Sequence, residues 1–165
     1  EAIKERRGEK PPDTPDPTIE VEIDAYIDER YISDPAQKVE IYKKIAAVSS
    51  LSEADEVEAE IEDRFGDLPE AVRNLLEISR VKVLAKQLGI NSVSSERGDI
   101  IARFLPGLSP DAERIASLLV NSRAQVRYQP GRQQMLKWRA TGRPTAELWK
   151  LIKDSLLYLL NKEIA

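Results

Sequence analysis

The apolar period of this chain shifts near residue 90, where three successive helical blocks give way to a back half that brings in short strands, and that shift limits the fold more than any other feature of the sequence. Before it, apolar residues recur three and four apart in successive blocks, the spacing of helices with one buried stripe. Asp34-Pro35 opens the first block: Asp34 can cap free N–H groups, Pro35 suits the first helical position, and Gln37 completes a capping box. Its stripe is expected from Val39, Tyr42, Ile45 and Ala46. The second block starts at Ser52 with Asp55 three residues on, carries Ala54, Val57, Ile61 and Phe65, and stops at Gly66. The third runs from Pro69 through Val72, Leu75, Leu76, Ser79, Val83 and Leu88 to Gly89.

After Asn91 the pattern is one of short strands. SVSSE and IIARFL flank Arg97-Gly98, and AQVRYQ and QQMLKWR flank Pro130-Gly131, so two hairpins are expected. Between them Ser109-Pro110 should cap a helix with Ala112, Ile115, Ala116 and Leu119 inward. Thr145 to Lys162 closes the chain as an amphipathic helix with Leu148, Leu151, Ile152, Leu156 and Leu159 as its stripe. Ahead of all this, residues 1–10 read as a frayed helix end, and PPDTPDPT packs four prolines into eight residues, an extended linker. Ile19, Val21 and Ile23 then alternate with acids as in a strand with one buried face, and AYIDERYI continues as irregular or extended chain. Segregated helices and strands place the chain in the α+β class: helices in front, antiparallel hairpins and a long C-terminal helix behind, in a single compact domain. The expected division is a preceding-module end and linker at 1–18 and an interaction domain at 19–165.

The chemistry this chain can perform is narrow. It contains no histidine and no cysteine, which removes thiolate nucleophiles, disulfides, zinc-thiolate sites and the best proton-transfer group near neutral pH. It has neither GxxxxGK[ST] nor GxGxxG, so no self-contained nucleotide site and no cofactor are expected. Asp63-Arg64-Phe65-Gly66 holds the letters of a kinase-like Asp-Phe-Gly with an arginine inserted, but no kinase lysine strand or catalytic loop accompanies it. A carboxylate hydrolase would need a metal and ranks last. The acidic run Glu53, Asp55, Glu56, Glu58, Glu60, Glu62 and Asp63 decorates a helix and lacks the glycine turn of a calcium loop, so no metal site is expected. No apolar run approaches the roughly 20 residues of a membrane span, and a cytoplasmic protein is expected.

Charge is polarised along the chain. Residues 1–70 hold 9 basic and 21 acidic side chains, the remainder 16 and 8. Two readings are open: two solvated faces that differ in sign, or an acidic docking face in the first half with a basic face behind it. Within the acidic half Glu60, Asp63 and Arg64 stand at three- and four-residue spacing and offer both signs to a partner protein. The alternative is a nucleic-acid surface in the back half, where Arg123, Arg127, Arg132, Lys137, Arg139, Arg143, Lys150 and Lys153 surround Tyr128 and Trp138. Trp138 stands at strand spacing from Leu136 and is expected in the core or at its rim.

Four stretches, DAYIDERYISD (24–34), QKVEIYKKIA (37–46), EIEDRFGDLPE (60–70) and RNLLEISRVKVLAKQLGI (73–90), resemble in wording, order and spacing the C-terminal, autoinhibitory domain of bacterial transcription-repair coupling factors. EAIKERRGE is similar to the end of the translocase module that precedes this domain. The resemblance implies a non-catalytic regulatory domain of an ATP-driven DNA translocase that removes stalled RNA polymerase and recruits excision repair. It implies docking on an N-terminal UvrB-like module, which masks the UvrA-binding surface and restrains the motor. Carried over by motif, the docking residues are Glu60, Asp63 and Arg64. No sharp motif extends the resemblance beyond about residue 90.

Overall fold

The computed structural model describes residues 15–108 and 110–160. The expected helix end at 1–10, the first half of the linker, Ser109 and Lys162 lie outside the described residues. Contacts divide the chain into two compact units, one of Ile23–Val83 and the other of Glu1–Glu22 with Leu84–Ala165.

The helical unit contains α1 (Pro35–Ala46), α2 (Leu51–Phe65) and most of α3 (Glu70–Leu88). Asp34 caps α1 as expected, accepting from the Ala36 N–H, but no bond from Gln37 closes a box among the described residues. The second cap lies two residues before its expected place. Ser50 accepts from the Glu53 N–H at 3.0 Å, and the Glu53 carboxylate accepts from the Ser49 N–H at 2.8 Å. The chemistry is the same serine-to-acid pairing, and Ser50 to Glu53 supplies it with the longer acid. Gly66, at φ +97°, ends α2 in a conformation that side-chain-bearing residues avoid.

The core of this unit is Ile27, Ile32, Ile41, Ile45, Ile61, Leu68, Val72 and Leu76, flanked by Tyr31, Tyr42, Val57, Phe65 and Leu75. Ile27 and Ile32 come from the irregular segment before α1, which is held by its own hydrogen bonds: Ile27 N–H to Tyr42 Oη at 2.8 Å and Asn74 Nδ2 to the Asp24 carbonyl at 2.9 Å. Val39, expected inward, is 52% exposed, and Ile41 is fully buried instead. The two lie about 160° apart around a helix turning 100° per residue. Tyr42 and Ile45, expected inward with Val39, do pack on the core, whereas Ala46, also expected there, is exposed.

The second unit is a five-stranded sheet in the order β1-β2-β3-β5-β4, from β1 (Thr18–Glu20), β2 (Ile90–Glu96), β3 (Asp99–Phe104), β4 (Val126–Gln129) and β5 (Met135–Arg139), with α4 (Ala112–Asn121) and α5 (Thr145–Leu160). Both hairpins form. The first turns on Arg97-Gly98, both at positive φ (52° and 84°), as a two-residue turn between right-twisted strands requires. The sheet is antiparallel except at one edge, where β1 pairs parallel to β2, Ile19 opposite Val93. A parallel neighbour needs a long crossover, and the whole helical unit lies between these two strands in sequence.

One face of the sheet buries Val93, Ile100, Ala102, Val126, Leu136 and Trp138. Trp138 is fully buried and donates from Nε1 to Ser155 Oγ of α5 at 3.0 Å, so it belongs to the core. Asp111 caps α4, donors being the N–H groups of Glu113 (2.9 Å) and Arg114 (3.3 Å), in place of the expected Ser109-Pro110. Ile115 and Leu118 point inward, whereas Ala112 and Ala116, expected there, are exposed. On α5, Trp149 joins the buried stripe. Arg114 of α4 stacks 4.7 Å from the Tyr158 ring of α5.

Ile61→Ala should cost the helical unit about 2–5 kcal/mol, because a fully buried side chain leaves a cavity, while Val39→Ala should change stability by less than about 0.5 kcal/mol. Urea unfolding of the two variants checks this.

Candidate functional site

Helix α2 distributes its charges in order around its axis. Ala54, Val57, Ile61 and Phe65 point to the core. One shoulder carries Asp55 and Glu58, which face Arg80 of α3. The other carries Glu60 and Arg64, which face α1. Glu56 and Asp63, seven residues apart, lie on the exposed crest opposite the core.

Arg80 is 8% exposed and contacts three carboxylates: Asp55 at 2.7 Å, Glu58 at 2.7 Å and, on its own helix, Glu77 at 3.1 Å. Burial opposes its charge, but hydrogen bonds to Glu58 and Asp55 outweigh that penalty and hold its pKa above the ordinary arginine value. The cluster ties α2 to α3.

On the opposite shoulder four side chains form a chain of alternating charge. Lys44 Nζ reaches both oxygens of Glu60, at 2.9 and 2.7 Å. The other partner of Glu60 is Arg64, at 3.0 Å, and Arg64 in turn meets Glu40 at 3.2 Å. Glu40 and Lys44 are four apart on α1, as Glu60 and Arg64 are on α2, so each helix offers one acid and one base to the other. The quartet sums to zero charge. The Lys44 ammonium holds the Glu60 carboxyl below its ordinary pKa against the opposing effect of burial, and Arg64 adds to the lowering.

The end of α2 is rigidly placed. Tyr31 Oη donates to the Gly66 carbonyl at 2.6 Å, its ring lies 6.0 Å from Phe65, and the Arg64 guanidinium sits 4.9 Å over the Phe65 ring. Burial keeps the Tyr31 hydroxyl protonated to higher pH, helped by the nearby acids Glu62 and Asp67.

The three expected docking residues therefore differ in state. Glu60 and Arg64 are engaged across helices, while Asp63 is exposed and makes no ion pair or side-chain hydrogen bond among the described residues. Sequence spacing put Glu60 and Asp63 on one face; in the helix they stand on shoulder and crest, about 60° apart. Their partners Glu40 and Lys44 were missed, although the repeated spacing of glutamate before a cation in both helices was a signal for them. Beside the quartet, a shallow open concavity on α1 is lined by Ala36, Val39, Glu40, Lys43, Lys44 and Ala47. Among the described residues no group of three or more acidic side chains is arranged to hold a metal ion, and no helix is long and apolar enough to cross a membrane.

Several of the basic residues of the second unit have partners within it. Arg127 pairs with Asp99 at 2.9 Å, Lys150 with Asp154 at 2.9 Å, and Arg143 donates to the Arg139 carbonyl. Tyr128 is hydrogen-bonded to Gln134, and Trp138 is inside.

Fold and site together define a small α+β domain whose charged chemistry is displayed on helix surfaces. A family model described as the TRCF domain matches residues 21–115, more than half of the chain, and the chain belongs to that family. A transcription-repair-coupling factor of Staphylococcus epidermidis is 36% identical over 113 residues, 67% of this chain and 10% of that protein. One from Bacillus subtilis is 38% identical over 98 residues, 59% of this chain and 8% of that protein. The chain thus spans about a tenth of the length of these curated relatives. A crystal structure of the C-terminal domain of transcription-repair coupling factor superposes with a TM-score of 0.72 at 26% identity, covering 90% of this chain and 97% of that one. That match extends into the hairpins and last helix, where the sequence carries no sharp motif.

Two outcomes are expected of these charges. Because the folded pKa of Glu60 is depressed, the stability it contributes is present above the ordinary value of 4.5 and is lost as pH falls through its lower folded value; thermal melts from pH 6 to 3 should show the loss, attenuated in Glu60→Gln. Arg80→Met strands three carboxylates and should destabilise the helical unit by about 2–3 kcal/mol, less than for a fully buried pair because Asp55 is largely exposed. Urea unfolding measures it.

Proposed function

We propose that this chain is the C-terminal regulatory domain of a transcription-coupled repair translocase, that it carries no catalytic group of its own, and that it docks on the UvrB-like module of its parent protein. In this reading residues 1–18 are the end of the preceding module and a linker, and 19–165 the docking domain. The closed arrangement covers the surface that UvrA would use and restrains the motor until RNA polymerase is engaged. The observation that carries the reading is the state of EIEDRFG: a rigidly held helix end on which Asp63 projects at the crest and the Glu60–Arg64 pair flanks it.

The physical character of the surface suits a contact that must release. The unit Ile23–Val83 holds 15 acidic and 8 basic residues, a net charge of −7, and so favours a basic partner. Exposed ion pairs are worth about 0–1 kcal/mol each and weaken with salt. A closed state built on them yields when polymerase and DNA bind the open form better.

Glu60→Ala combined with Asp63→Ala should leave the circular dichroism spectrum unchanged and weaken binding to the parent's UvrB-like module by about three- to thirtyfold, with wild-type binding falling as salt rises. Titrations at two salt concentrations measure it. Unchanged affinity in the double variant contradicts the assignment, and salt-sensitive binding to DNA without module binding favours the nucleic-acid alternative.

A further inference from the structure

We infer that Lys44 is an internal competitor for the docking surface: in the free domain its ammonium occupies the carboxylate that a basic partner would seek, and so it limits how tightly the domain docks. The inference rests on the docking reading above and concerns the regulation of that same site.

Three observations lead to it. Lys44 contacts both oxygens of Glu60, so the carboxylate already has a cation in the position an external arginine or lysine would take. The contact is accessible, since the Lys44 and Glu60 side chains are 40% and 34% exposed, and a partner can reach the pair without disturbing the core. Lys44 is also the more displaceable of the two cations on Glu60. Arg64 is held in addition by Glu40 and by the Phe65 ring, whereas Glu60 is the one ion-pair partner of Lys44 among the described residues. A lysine ammonium is a single strongly hydrated charge on a flexible stem, and it gives up a carboxylate to water or to an arginine fork more readily than a stacked guanidinium does.

The division of labour that follows is specific. Asp63, which has no partner among the described residues, offers its charge at no exchange cost, and it attracts a basic surface first. Glu60 becomes available only as Lys44 withdraws, so its contribution is partly cancelled by the pair that docking breaks. A surface of this kind binds weakly by construction, which a contact that has to open requires.

The test is a set of titrations of the whole chain against the UvrB-like module of its parent. Lys44→Met should tighten binding by about two- to fivefold, the worth of one exposed ion pair. Lys44→Arg should stay near wild type. Lys43→Met is the control: it removes the same charge one residue away, from an exposed lysine that makes no contact with Glu60, and it should change affinity by less than half as much. In a Glu60→Gln background the gain from Lys44→Met should vanish. Equal gains from Lys43→Met and Lys44→Met, or no gain from Lys44→Met, overturn the inference even if Glu60→Ala with Asp63→Ala still weakens docking, in which case the docking reading stands. Indifference to every one of these changes, the Glu60 and Asp63 pair included, brings down the docking reading and this inference with it.

Discussion

The helical unit depends on how α2 is held, by Ala54 and Ile61 in the core on one side and by the Arg80 guanidinium beside them. A charge that is 8% exposed persists only if its neighbours satisfy it, and here two of the three carboxylates that do so come from α2. Three and four residues set the spacing of everything else on the helix. Once Asp55 and Glu58 are committed to Arg80 and Ile61 to the core, Glu60 and Arg64 must face α1 and Asp63 must face outward. The acidic run that looked uniform in sequence therefore holds different things: a helix cap at Glu53, an internal anchor, a neutral interhelical clasp and an exposed crest.

That partition explains why a strongly acidic helix can present a limited acidic surface. Charges spent within the domain are screened by their partners and contribute little to an encounter with another protein. Those left on the crest, Glu56 and Asp63, set the sign of the surface. The same logic applies in the second unit to Arg103, which meets Glu96, and to Arg127, which meets Asp99.

Much of the architecture was legible because local chemistry and tertiary packing agree. Asp34-Pro35, Gly66, Gly89 and Arg97-Gly98 mark boundaries through backbone requirements that no packing overrides. Misreadings arose where two local solutions had similar quality. Ser50 and Ser52 both precede an acid by three residues, Val39 stands one turn from Tyr42 as Ile41 does from Ile45, and α4 could turn Ala112 and Ala116 inward only by giving up Leu118. The parallel pairing of β1 was invisible for another reason, since it depends on a strand partner some 70 residues away. At the candidate site, Glu60, Asp63 and Arg64 could be named from their motif. Their pairing with Glu40 and Lys44 needed the geometry of α1 against α2.

The central claim is that the end of α2 is where this domain meets its partner. Backbone amide shift mapping of the isotopically labelled chain, with the UvrB-like module of the parent added at low salt, tests it directly. The account requires the largest perturbations on Glu60 to Gly66 and on the neighbouring turn of α1 around Lys44, fading as salt is raised. Perturbations confined to the hairpins and α5, with α2 unmoved, would contradict it.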